Sequence, residues 1–130
     1  MKRISVGILA VVGILTVMFT ISCKKYYLVP EEVTIPDTVK FSVDIAPILD
    51  ANCNLSNCHA TGYNSPDLSP EKAYSNLWAY ALIDTTDPEN SVIYKRLTSA
   101  TKPMPPEPSA RLSDAKINLI LEWIKQGAKE

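Results

Sequence analysis

Histidine occurs once in this chain, at position 59, and cysteine three times, at 23, 53 and 58. With one imidazole, a hydrolytic triad has a single place to form, and no pair of carboxylates stands at a spacing that singles it out for acid–base work. No run of Lys and Arg is present, which excludes the clustered positive charge that nucleic-acid phosphates demand. Convincing period-two strand patterns are missing, as are internal repeats and low-complexity tracts. The 13 basic and 14 acidic residues nearly balance, for a net charge of −1.

Charge is also missing between Arg3 and Lys24. Lys2 and Arg3 precede the apolar run "VGILAVVGILTVMFTIS", the pattern of an export signal. The run is also just long enough to span a bilayer, which takes roughly 20 residues. Its end, "TISCKK", resembles the lipobox of bacterial lipoproteins, although Thr20 stands where Leu is commoner. That resemblance implies a signal peptide over 1–22 and a lipid on Cys23; otherwise Cys23 is the last residue of an uncleaved anchor helix. Either way the remainder is exported and tied to a membrane of the bacterial cell envelope, on its periplasmic side or at the cell surface. Loss of Lys2 and Arg3 with a leader makes the remainder more acidic.

Exported cysteines meet oxidising conditions, so Cys53 and Cys58 should be bonded to something. "KKYYLVPEEVTIPDTVK" (24–40) carries two prolines and no helical period, which makes a first strand improbable and predicts, with Cys23, a tether over 23–40. At roughly 3 Å per residue it reaches roughly 50 Å.

The domain is predicted over 41–130 as all-α. Phe41, Ile45, Ile48 and Leu49 mark one face of a short helix. Ser42 is a candidate cap, and Pro47 requires a start near Asp44 or a kink. "ATGYNSPDLSP" is a loop. Ser69-Pro70-Glu71 predicts a second helix start, with Ala73, Leu77, Tyr80 and Ala81 on one side. Ser91 should cap "VIYKRL". "TSATKPMPPEP", with four prolines, excludes regular structure. Ser113 and Gly127 bracket the last helix, whose stripe is Ile117, Ile120, Leu121 and Ile124, with Trp123 beside it. So small a chain has a modest core and often needs a staple or cofactor.

The chemistry concentrates in "CNLSNCH", Cys53 to His59. Two cysteines followed at once by a histidine are the haem c attachment pattern, usually C-x-x-C-H. Here the gap is four residues, a bulge that leaves His59 beside Cys58. A Cys53–Cys58 disulfide fits the same spacing but leaves His59 unexplained. Zinc normally takes four Cys or His ligands, and the chain offers at most three. A haem carrier usually needs a second axial ligand, often Met. Met104 is the one methionine outside the export segment. It lies between stiffening prolines rather than on a helix stripe, where a core Met would more often sit.

Phe41, "CNLSNCH", "MPP" and "WIKQGA" (Trp123 to Ala128), in that order, resemble class I cytochromes c, especially short, single-haem, envelope-bound domains. The resemblance covers 41–128 and implies a helical domain around one covalent haem c. It implies Cys53 and Cys58 as attachment points, with His59 and Met104 as axial ligands of the iron. The first and last helices should cross near Phe41 and Trp123, and a proline carbonyl, of Pro66 or Pro70, should hold the free nitrogen of His59. The implied role is electron carriage rather than catalysis, with other redox proteins of the envelope as transient partners. The alternative is a haem-free lipoprotein binding module stapled by the disulfide. Tyr63, Tyr74, Tyr80 and Tyr94 are read as packing rather than a redox relay. Lys95, Arg96 and Arg111 are read as solvated charges rather than partners of haem propionates.

Overall fold

Pro47 shapes the start of the fold. In the computed structural model, which describes residues 34–130, the chain enters through a π-helical turn, Phe41–Ile45, that runs into α1, Ala46–Asn52. The wide turn gives the Phe41 carbonyl the N–H of Ala46, so the donor that Pro47 lacks is not required there. Ser42 does not cap. Asp44 reaches back instead, its Oδ2 accepting the Lys40 N–H at 2.7 Å, while its own N–H donates to the Lys40 carbonyl at 2.9 Å. The leader and Cys23 lie outside the described residues.

α2 is Ala73–Ala79, later and shorter than the sequence predicts. Residues 69–72 form a turn in which Lys72 and Ala73 both donate to the Ser69 carbonyl. The helix stops because Ala81 takes φ +50° and Leu82 N–H returns to the Leu77 carbonyl at 2.9 Å. Ala73 and Leu77 are buried as expected, whereas Tyr80 and Ala81 are exposed.

A 3₁₀ turn, Pro88–Asn90, precedes α3, Val92–Thr98. Ser91 holds the N-cap position of α3 as expected, but its side chain makes no capping bond. It is buried, and its Oγ accepts the Asp84 N–H (2.9 Å) and donates to the Asp84 carbonyl (3.2 Å), closing the loop between them. Asp84 Oδ1 gathers Thr86 Oγ1, Thr86 N–H and Asp87 N–H, which holds its carboxyl below the usual range.

α4, Asp114–Lys125, follows its local signals. Ser113 accepts from the Lys116 N–H. Gly127 at φ +92° donates to the Ile124 carbonyl, and Ala128 to that of Trp123; this is a Schellman ending, for which a left-handed residue is needed. Ile117, Ile120, Leu121 and Ile124 are buried, together with Leu119 and a fully buried Trp123.

The described residues are helical, with no strand among them, and they belong to one compact unit, Glu31–Glu130. None of their helices is long and apolar enough to cross a membrane. The turn at Phe41 packs on α4. The Phe41 ring lies 5.4 Å from that of Trp123 and 5.1 Å from that of Tyr74. Chain ends close over this cluster: Trp123 Nε1 donates to the Lys129 carbonyl (2.7 Å), Tyr74 to that of Ala128 (3.3 Å), and Val39 N–H to Gln126 Oε1 (2.8 Å). Val39 is buried in the core, so packed chain begins before Phe41.

Trp123→Ala should cost about 3–5 kcal/mol of folding stability. Trp123→Phe, which keeps a ring and orphans the Lys129 carbonyl, should cost roughly 1–2 kcal/mol. Urea unfolding of the two variants gives the comparison.

Candidate functional site

α1 delivers Cys53 to the centre of the domain. The Leu49 carbonyl accepts from both Cys53 N–H (2.8 Å) and Asn54 N–H (3.0 Å), which ends the helix. The loop to Cys58 then closes on itself. Cys58 N–H donates to the Leu55 carbonyl, Asn57 takes φ +65°, and His59 N–H returns to the Cys53 carbonyl at 3.1 Å. The wide gap between the cysteines is thus folded into a hydrogen-bonded ring. Asn64 clips it from outside, its Nδ2 donating to the Asn57 carbonyl (2.8 Å) and its N–H to that of Cys58 (2.9 Å).

His59 is oriented by the segment that follows. Its carbonyl accepts the Leu68 N–H at 2.7 Å. Its Nδ1 lies 2.9 Å from the Pro66 carbonyl, with that of Asn64 farther off at 3.3 Å. A carbonyl only accepts, so Nδ1 carries the hydrogen and Nε2 keeps the lone pair. Of the two prolines considered, Pro66 supplies the oxygen. The residue after it is locked in turn: the Asp67 carbonyl accepts from Asn76 Nδ2 (2.7 Å), and its carboxylate accepts Ser69 N–H (3.0 Å) and pairs with Lys72 Nζ (3.0 Å).

Met104 comes from a separate segment, the proline-rich stretch after α3. Its N–H donates to the Arg96 carbonyl at 2.9 Å. Arg111, at the far end of that stretch, donates through Nη2 to the carbonyls of Leu97 (3.1 Å) and Ser99 (2.9 Å). Two adjoining cavities lie between the segments. One, of about 330 Å³, is lined by Cys53, Cys58, His59 and Met104 with Asn52, Asn57 and Asn64. The other, of about 250 Å³, has Cys53, His59 and Met104 with Leu49, Leu68, Leu82, Ile93 and Leu97. Cofactor sites run to roughly 300–1,000 Å³ with mostly apolar walls and a few placed polar groups; the first cavity reaches the low end of that range and the second falls below it.

Cys53, His59 and Met104 therefore share both cavities, and Cys58 shares one. The two thiols are not joined to each other. Burial, and then the neighbouring Cys58, push the Cys53 thiol up to about 11. Among the described residues, no group of three His, Cys, Asp or Glu side chains is arranged to hold a metal ion.

Lys95, Arg96 and Arg111 are exposed, as read from the sequence, but two of them have contacts that the sequence does not show. Arg96 lines the apolar cavity and also an outer cleft beside Met104, and Arg111 binds backbone. Neither role has a local signal, since both depend on how α3 meets the Met104 stretch. Tyr74 packs against Phe41, while Tyr63 and Tyr80 are exposed. Comparison with protein-family models, curated proteins and solved structures finds no match.

Asp67 gives the site a pH dependence. Ser69, chiefly through its backbone N–H, and then Lys72 hold the Asp67 carboxyl far below its usual range. A carboxyl depressed in the folded state contributes stability above its unfolded value, about pH 4, and loses it progressively as pH falls below that. Asp67→Asn should therefore flatten the acid limb of the stability curve below about pH 4, read from urea midpoints across pH.

Proposed function

We propose that this chain is a membrane-tethered, single-haem c-type cytochrome that carries electrons. The observation that carries the reading is that His59 and Met104 face the same two cavities from separate segments, with Cys53 on the wall of both. The residues fit the group. Cys53 and Cys58 would hold haem c through thioethers, His59 Nε2 and the Met104 sulfur would be the axial ligands, and the leucine and isoleucine walls would take its apolar faces. Bound haem supplies a one-electron couple, whose potential Met ligation and burial raise.

The chain's own work is to hold and to exclude. Pro66 fixes the His59 tautomer and makes Nε2 the donor atom. Leu49, Leu68, Leu82, Ile93 and Leu97 keep water from the cavity. Arg96 is the cation of that wall, and a carboxylate-bearing ligand would meet it there. With both axial positions taken by protein, substrate has no place at the metal, which makes this a carrier rather than an enzyme. The fold would be that of a small class I cytochrome c domain, and the partners other redox proteins of the bacterial envelope. The chain would be exported, cleaved before Cys23 and held on the membrane by a lipid on that cysteine.

The test is the pigment of the protein expressed with its signal in a host that matures c-type cytochromes. A Soret band that stays with the protein through acid–acetone extraction, and an intact mass increased by one haem, are expected. Met104→Ala should keep the haem and lose the near-infrared sulfur-to-iron band. His59→Ala should lose most of the holoprotein. A colourless wild-type protein with a Cys53–Cys58 disulfide would overturn the reading in favour of a haem-free binding module.

A further inference from the structure

The residues around Met104 do little to hold it. Pro103, Pro105, Pro106 and Pro108 have no N–H to donate, and most of the other bonds in the stretch are local: Lys102 N–H to Ser99 Oγ, and Ser109 N–H to the Pro106 carbonyl. Met104 is 38% exposed. What ties the stretch back to the helical body is the end of α3. The last carbonyls of a helix have no partner within it. Here Met104 N–H takes that of Arg96, and the Arg111 guanidinium takes those of Leu97 and Ser99. Arg111 stands apart from the ion pair among the described residues, which joins Lys72 and Asp67. Both of its bonds leave from one nitrogen, Nη2, and both go to backbone.

We infer that Arg111 is a positioning residue that closes the Met104 loop onto α3 and so sets how firmly the thioether is held at the cavity. The haem part of this rests on the function proposed above. Leu112 is buried beside it and fixes the far end of the loop against the core, but an apolar contact has no direction. The guanidinium bonds fix the position of the loop's two ends relative to each other, which reduces the conformations open to the residues between them. Lysine, a point charge on a flexible stem in place of the planar guanidinium, would restore part of the effect.

The experiment compares wild type, Arg111→Ala, Arg111→Lys and, as a control on the exposed face of α3, Lys95→Ala. Two readouts are used: hydrogen exchange at the Met104 amide, and cyanide affinity of the ferric protein. Arg111→Ala should speed exchange at Met104 about tenfold and raise cyanide affinity about tenfold, the equivalent of one charge-assisted hydrogen bond. Haem content should stay unchanged, Arg111→Lys should fall between, and Lys95→Ala should match wild type. If Arg111→Ala stays within about twofold of wild type on both readouts, the inference is overturned. It is equally overturned if exchange rises uniformly over the domain, because that marks a general loss of stability. If the wild type carries no haem, the cytochrome reading fails, and Met104 exchange alone decides whether Arg111 closes the loop.

Discussion

His59 is fixed at three of its polar atoms. Its N–H goes to the Cys53 carbonyl, its carbonyl takes the Leu68 N–H, and its Nδ1 goes to the Pro66 carbonyl. The two backbone bonds fix the residue, and the Nδ1 bond orients the ring and leaves Nε2 as the atom with a lone pair to give. The rest of the site can be described relative to this. The bond to Cys53 closes the loop between the cysteines, so thiols and imidazole move as one body. The bonds to Pro66 and Leu68 dock the following loop against that body and bring Leu68 into the core.

The same logic extends outward to α2. A proline carbonyl can hold an imidazole only if the proline itself is held. Asp67 does this through both ends of the residue, its carbonyl bound by Asn76 and its carboxylate by Ser69 and Lys72. The Lys72 partner is half in solvent, and an exposed ion pair contributes little by itself. The backbone N–H of Ser69 is the main contact. The carboxylate that starts the turn before α2 thus also steadies the histidine, and a change in this turn is felt at the site.

How much of this was legible in the sequence depends on how local each interaction is. α4 could be read nearly residue by residue, because Ser113 and Gly127 act on backbone a few positions away and the apolar stripe needs only one face to bury. The grouping of Cys53, Cys58 and His59 was visible as adjacency, and Met104 as the odd methionine between prolines. The pairing of His59 with a proline came from resemblance, and distance in the fold chose Pro66 over Pro70. Caps failed where a competing partner was nearer in space. Ser91 serves Asp84 across a loop, Asp44 rather than Ser42 makes the side-chain bond at the first turn by accepting the Lys40 N–H, and Asp67 sets the turn that Ser69 was expected to cap. Val39 reads as linker because its burial depends on Gln126, far along the chain. Arg111 reads as a surface charge because sequence does not show which carbonyls a helix end leaves free.

The two faces of the site are built unequally. His59 is held by bonds that reach no farther than nine residues along the chain, so its loop organises from its own neighbourhood and from the helix it follows. Met104 depends on its amide bond to Arg96 and on Arg111 reaching back to Leu97 and Ser99, so its place is set only once α3 and the start of α4 have packed. In the proposed cytochrome this difference would suit a firmly held nitrogen ligand paired with a sulfur ligand that the completed fold brings to it. Proline on both sides of Met104 narrows the conformations that the final contacts must select, which lets so few bonds suffice for the methionine side.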